Sequence, residues 1–156
     1  MKKKIFTFLL FLFLSSCGYE ATYSLKNRAI YAFSISELVL TGDRQINLKI
    51  KQLLNPYKNP KIKEEKIFIL NISSSSEKTI TTKNAAGDAE KFKKEITVTV
   101  QVFLNEEYLS NFVIKENLIY SNNSDTVELK TYENQIKNNL AEAAVNKILF
   151  KLVNNL

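Results

Sequence analysis

The chain has 156 residues, 45% of them hydrophobic, with 22 Lys and Arg against 16 Asp and Glu and a formal net charge of +6. It contains no histidine and one cysteine, which removes the commonest general base and metal ligand, every Ser-His or Cys-His pairing, and any intrachain disulfide framework. Its three glycines, Gly18, Gly42 and Gly87, are too dispersed for a phosphate-cradling loop.

The chain opens with Met1-Lys2-Lys3-Lys4, an apolar block from Ile5 to Leu14 broken only by Thr7, and then Ser15 and Ser16. This is the pattern of a secretory signal peptide: charged start, short apolar middle, small residues at the cleavage site. A spanning helix needs about 20 apolar residues, and Ser15, Ser16 and Gly18 end this block well before that. The only cysteine, Cys17, follows directly, and Leu14-Ser15-Ser16-Cys17 resembles the lipobox of bacterial lipoproteins, in which the cysteine is acylated and becomes the first mature residue. The alternatives for Cys17 are a chance residue or half of an intermolecular disulfide. Buried acyl chains contribute about 0.8 kcal/mol per methylene, and several chains together anchor stably. In lipoproteins kept at the inner membrane the next residue is often Asp; Gly18 points by resemblance to the outer membrane, facing the periplasm.

Removing residues 1–16 from 156 leaves 140, the size of one domain. The three lysines of the leader go with it, so the basic count falls from 22 to 19 and the formal charge from +6 to +3. A nucleic-acid partner therefore loses its support from net charge. Residues 17–28 are polar with scattered tyrosines and read as a lipidated leader, with a single domain in 29–156.

Within that domain, period two places Tyr31, Phe33 and Ile35 on one face of a strand over Ala29 to Val39. Thr41, Gly42 and Asp43 supply turn and N-cap chemistry. Ile46, Ile50, Leu53 and Leu54 then fall at helical spacing up to Asn55-Pro56. After a Lys, Asn and Pro loop, Lys66 to Ile72 is apolar on both faces, the mark of a central strand. Ser73 to Ser76 empties the pattern, and Glu77 to Lys94 reads as a mixed-charge hairpin arm around Asn84 to Asp88, or simply a solvated loop. Ile96 to Leu104 alternates strictly, Val98, Val100 and Val102 on one side, Thr97, Thr99 and Gln101 on the other. Asn105-Glu106-Glu107 connects tightly to a strand over Tyr108 to Tyr120. A long amphipathic helix from about Thr126 to Asn154 follows, with Asp125 and Glu128 placed to cap it.

The expected fold is α+β, a two-layer sandwich of order β-α-β-β-β-α with a four-stranded mixed sheet and both helices on one face. The helix between the first two strands makes them parallel, and the hairpins make the other pairs antiparallel. Glu64-Glu65 and Glu106-Glu107 are the only adjacent carboxylate pairs in the domain, and both sit in charged, turn-like stretches, so catalysis and a metal site are not expected. The covalent lipid on Cys17 is the only expected non-protein group.

The lipobox with Gly18 and Tyr19, the β-α-β start, "AEKFKKEITVTVQVFL" after a polar loop, "FVIKENLIYSNN", and the final "LKTYENQIKNNLAEAAVNKILFKL" together resemble the LPS-assembly lipoprotein LptE family. The resemblance covers nearly all of the mature chain and rests on order and spacing. It implies a two-layer α/β domain that plugs the large LptD β-barrel of the outer-membrane lipopolysaccharide (LPS) translocon, assists its assembly and binds LPS. It also implies LPS contact near the tip of the loop between the second and third strands and near the start of the last helix, where Lys83 and Lys130 stand. Ordinary surface lysines are the alternative at both positions. A second function stays open, a free-standing periplasm-facing lipoprotein that binds a lipid or cell-wall fragment without a barrel partner.

Overall fold

The computed structural model describes residues 33–58 and 66–154. The signal peptide, Cys17, the leader, residues 29–32 of the expected first strand and most of the Pro56 to Glu65 loop lie outside the described residues. Within them the elements run β1 (Phe33–Gly42), α1 (Arg44–Leu54) ending in a 3-10 turn (Asn55–Tyr57), β2 (Lys66–Lys83), β3 (Ala89–Leu104), β4 (Glu107–Ser121) and α2 (Thr126–Asn154). The sheet order is β1-β2-β3-β4, with β1 and β2 parallel and the other two pairs antiparallel. This is the expected mixed sheet and element order.

Alternation decides the core. Phe68, Leu70 and Ile72 of β2 and Ile96, Val98, Val100 and Val102 of β3 are all buried on one face. Against them pack Ile46, Ile50 and Leu54 of α1 and Ile136, Leu140, Ala144, Ile148 and Leu152 of α2, one stripe from each helix. Ala141 and Ala144 keep the stripe of α2 narrow. Gln45 Nε2 donates to Asn134 O at 3.1 Å and Asn138 Oδ1 at 3.2 Å, and Lys49 pairs with Glu142 at 3.0 Å, so the two helices are tied to each other across their polar edges.

The turns follow local chemistry. Gly42 sits at φ +94°, and a Cβ there would lie 1.9 Å from Ser74 O, so only glycine allows β1 to close on β2 at this point. Asn105 and Glu106, at φ 50° and 72°, make the left-handed two-residue turn that a tight hairpin needs. Asn84 Oδ1 accepts from the Ala86 and Asp88 N–H groups and Gly87 takes φ +92°, which closes the tip of the β2–β3 hairpin. Asp125 Oδ1 accepts from the N–H groups of Val127 and Glu128, both at 2.9 Å, and so caps α2. The Glu128 carboxylate does not complete a capping box; it accepts from Asn123 Nδ2, while Asn123 Oδ1 takes the Asp125 N–H.

Two expectations are corrected, and a third gains detail. β1 continues through Thr41 and Gly42, so only Asp43 is the cap: its Oδ1 accepts from the Gln45 and Ile46 N–H groups at 3.0 and 3.1 Å. β2 is interior to the sheet, the central strand expected, and with both helices on one side its outer face leaves Ile67 43% exposed. The Ser73 to Ser76 run does not end the strand. Ser74 is buried and its hydroxyl donates to Asn47 Oδ1 at 2.7 Å, while Ser76 Oγ donates to Asp43 Oδ2 at 3.0 Å. Small polar side chains stand there because the N-terminus of α1 rests on the sheet.

Candidate functional site

β1 ends opposite Ser74, but β2 and β3 run on to Lys83 and Ala89. The hairpin therefore projects past α1 as an arm. β4 accompanies it up to Ser121, opposite Lys91, and Asn122 returns to it, its N–H donating to Glu90 O at 2.8 Å and its Nδ2 to Ala89 O at 2.9 Å. α2 starts at that end and, at 29 residues, runs about 43 Å back along the sheet. Lys83, the last residue of β2, and Lys130, in the opening turns of α2, thus lie at the same end of the domain. Both are exposed, and neither has an ion pair among the described residues.

Between the arm and α2 lies a polar network that inspection of the sequence missed. Lys78 and Lys94 occupy directly opposite positions on β2 and β3, on the face that carries Ile96 and Val98 further down. Lys78 Nζ meets Glu133 Oε1 at 2.5 Å and sits 3.8 Å above the centre of the Phe92 ring. Tyr120 OH donates to the same Glu133 oxygen at 2.7 Å, and its ring packs against Phe92 and Tyr132. One helical turn further along α2, Lys137 pairs with Asp43 Oδ2 at 3.0 Å. Asp43 therefore caps α1, holds Ser76 and anchors α2 at once.

The titration of these groups follows from their neighbours. Burial raises both carboxyls, but hydrogen bonds outweigh it: Lys137, the Ile46 N–H and Ser76 hold Asp43 below its ordinary value, and Lys78 and Tyr120 do the same for Glu133. Burial, then its bond to the Glu133 carboxylate, pushes the Tyr120 phenol up. Burial, then repulsion from Lys137, holds Lys94 below the usual lysine range. A signal for the Lys78–Lys94 opposition was present in the sequence, since both lie eight residues from Ala86 at the centre of the tip.

The outer face of the sheet has another character. Val39, Thr41, Asn71, Ser73, Thr99 and Gln101 line a shallow depression there with no charged residue. On the far side of the molecule Phe150 of α2 is 63% exposed, between Lys147 and Lys151. Among the described residues no group of three or more His, Cys, Asp or Glu is placed to hold a metal, and no helix is long and apolar enough to cross a membrane.

Rare lipoprotein B from Shewanella oneidensis superposes with a TM-score of 0.56 at 14% identity, over 76% of this chain and 97% of that one. The domain shares the fold of a bacterial lipoprotein. A minor lipoprotein from Acinetobacter baumannii matches with a TM-score of 0.55 at 12% identity, over 77% and 92% of the two chains. Lipoprotein B from Nitrosomonas europaea gives 0.52 at 14% identity, over 78% and 85%. No family model and no curated protein matches the sequence.

Proposed function

We propose that the protein is a lipid-anchored, periplasm-facing subunit of the outer-membrane LPS translocon, acylated at Cys17, which plugs and helps assemble an LptD-type β-barrel and contacts LPS. The observation that carries this reading is the two-layer domain shared with rare lipoprotein B over 97% of that chain, the architecture that the resemblance to the LptE family implies. The lumen of an outer-membrane barrel is polar, in contrast to its apolar outer band. A guest domain suits such a lumen when its own core is closed and its outer surface offers polar groups, as the outer sheet face does at Thr41, Asn71, Ser73, Thr99 and Gln101, interspersed with exposed Val39, Ile67, Val113 and Ile119. Lys83 and Lys130, at one end of the domain, meet the phosphates of LPS as point charges in this reading.

Co-purification from detergent-solubilised outer membranes tests the partner. A large β-barrel protein recovered in one-to-one ratio is expected, and a lone monomer after crosslinking would favour the free-standing lipoprotein. For the ligand, Lys83→Glu combined with Lys130→Glu should weaken LPS binding at least tenfold at physiological salt, the size of one lost charge-assisted contact or more, with the fold intact by circular dichroism. Unchanged affinity would remove both residues from the site.

A further inference from the structure

The arm and α2 bring together more positive charge than the protein neutralises. Lys78 and Lys94 are directly opposed across β2 and β3, and like charges in opposed sheet positions repel. Lys137 approaches from α2 and adds to the repulsion on Lys94. Glu133 answers Lys78, and Asp43 answers Lys137. The Lys94 ammonium, half-buried between them, has no side-chain hydrogen bond or ion pair among the described residues and meets the two carboxylates only at longer range. Three ammonium groups against two carboxylates leave one charge unmatched.

The apolar surroundings restrict what can match it. Ile80, next to Lys78 on the same face of β2, is 52% exposed, and Leu118, opposite Lys94 on β4, is 42% exposed. We propose that the inner face of the hairpin arm, beside α2, binds a phosphate group, with Lys94 as its principal contact, Lys78 and Lys137 flanking it, and Ile80 and Leu118 against the apolar part of a phosphorylated lipid. An ammonium group offers three donors, and phosphate oxygens accept from several directions at once. An anion seated there offsets the Lys78–Lys94 repulsion and raises the Lys94 pKa back toward its ordinary value. This deepens the LPS reading and rests on it only for the source of the phosphate.

The test uses the full-length lipidated protein in detergent micelles. Three probes are titrated calorimetrically: inorganic phosphate, bisphosphorylated lipid A, and lipid A stripped of phosphate. Lys94→Gln should lower affinity for bisphosphorylated lipid A about tenfold, as expected for one hydrogen bond between charged groups, and leave the dephosphorylated form unaffected. Lys94→Arg should retain most of the binding, and Lys115→Gln, on the other face of the sheet, all of it. The thermal midpoint of ligand-free Lys94→Gln should equal or exceed that of the parent, because the substitution removes a repulsion; a merely structural lysine would lower it. Binding of inorganic phosphate that also depends on Lys94 assigns the site to the free anion as well, whereas binding of lipid A alone assigns it to the headgroup. Wild-type affinity of Lys94→Gln for bisphosphorylated lipid A, or an equal loss for both lipid forms, overturns the site while leaving the LPS reading intact. Lys94-dependent phosphate binding without any lipid A binding sinks the LPS reading and keeps the site.

Discussion

The lower and upper halves of one hairpin follow opposite rules. From Phe68 to Ile72 and from Ile96 to Val102 the inward residues of β2 and β3 are aliphatic or aromatic and essentially unexposed, roofed by two helices. Beyond Ser76 the same strands keep their pairing and alternation, but the inward positions become Lys78, Ile80, Phe92 and Lys94. The change coincides with the end of β1 at Gly42 and the start of α1 at Asp43, past which α2 is the only helix over the sheet. Burial is therefore set by what lies above the sheet, and the half under α2 alone is free to carry charge.

The largest effects that break this contrast come from equal insults to the two halves. Val100→Asp places an unpaired carboxylate in the closed core and should cost about 4 kcal/mol or more, enough to unfold the domain. Ile80→Asp, on the same face of the arm, should change stability by no more than about 0.5 kcal/mol. Urea melts of the two variants check both, and a normally folded Val100→Asp would reverse the assignment of sheet faces.

The junction between the halves comes next. Asp43→Ala removes the cap of α1 and leaves Lys137 and Ser76 without their partner. It should destabilise by about 2 kcal/mol, most of it from the cap, measured by the same melts. Asp43→Asn keeps the cap oxygen and should recover part of that loss. Acid sharpens the point. Asp43 and Glu133 are held below their ordinary values of 3.8 and 4.5. Their contribution is complete above those values and is lost as pH falls through the folded-state values. Melts between pH 7 and pH 3 should show this fall in the parent and a shallower one in Asp43→Ala.

The smallest effect is at the base. Glu106 holds φ 72° at the β3–β4 turn, so Glu106→Gly should raise stability by a few tenths to about 1 kcal/mol. A decrease would mean that its side chain contributes contacts that outweigh the backbone cost.

What the sequence disclosed follows the same division. The strict alternation from Ile96 to Leu104 and the helical spacing of Ile46, Ile50 and Leu54 made the closed half readable, because burial imposes a period. Ile67 and Ile69 marked β2 as central correctly, but an apolar residue on a strand carries no sign of whether a second layer covers it, and none does here. The serine run misled: its composition suits a linker, and only the docking of Asp43 and Asn47 onto Ser74 and Ser76 explains it. Lys83 and Lys130 were singled out through family resemblance and lie at one end of the domain. Lys94 read only as one of the basic residues of the mixed-charge arm, because a lysine in a polar stretch gains further meaning only when cross-strand register sets it against Lys78.

The central claim of the proposal is that this domain sits inside a β-barrel with the uncharged depression of its outer sheet face, at Thr41, Asn71, Ser73, Thr99 and Gln101, toward the wall. Its most direct test is a photoreactive residue in place of Thr99, at the centre of that face, irradiated in intact cells. The account predicts a crosslink to a large outer-membrane β-barrel protein, whereas the absence of any such adduct, with the lipidated protein present in the outer membrane, would contradict it.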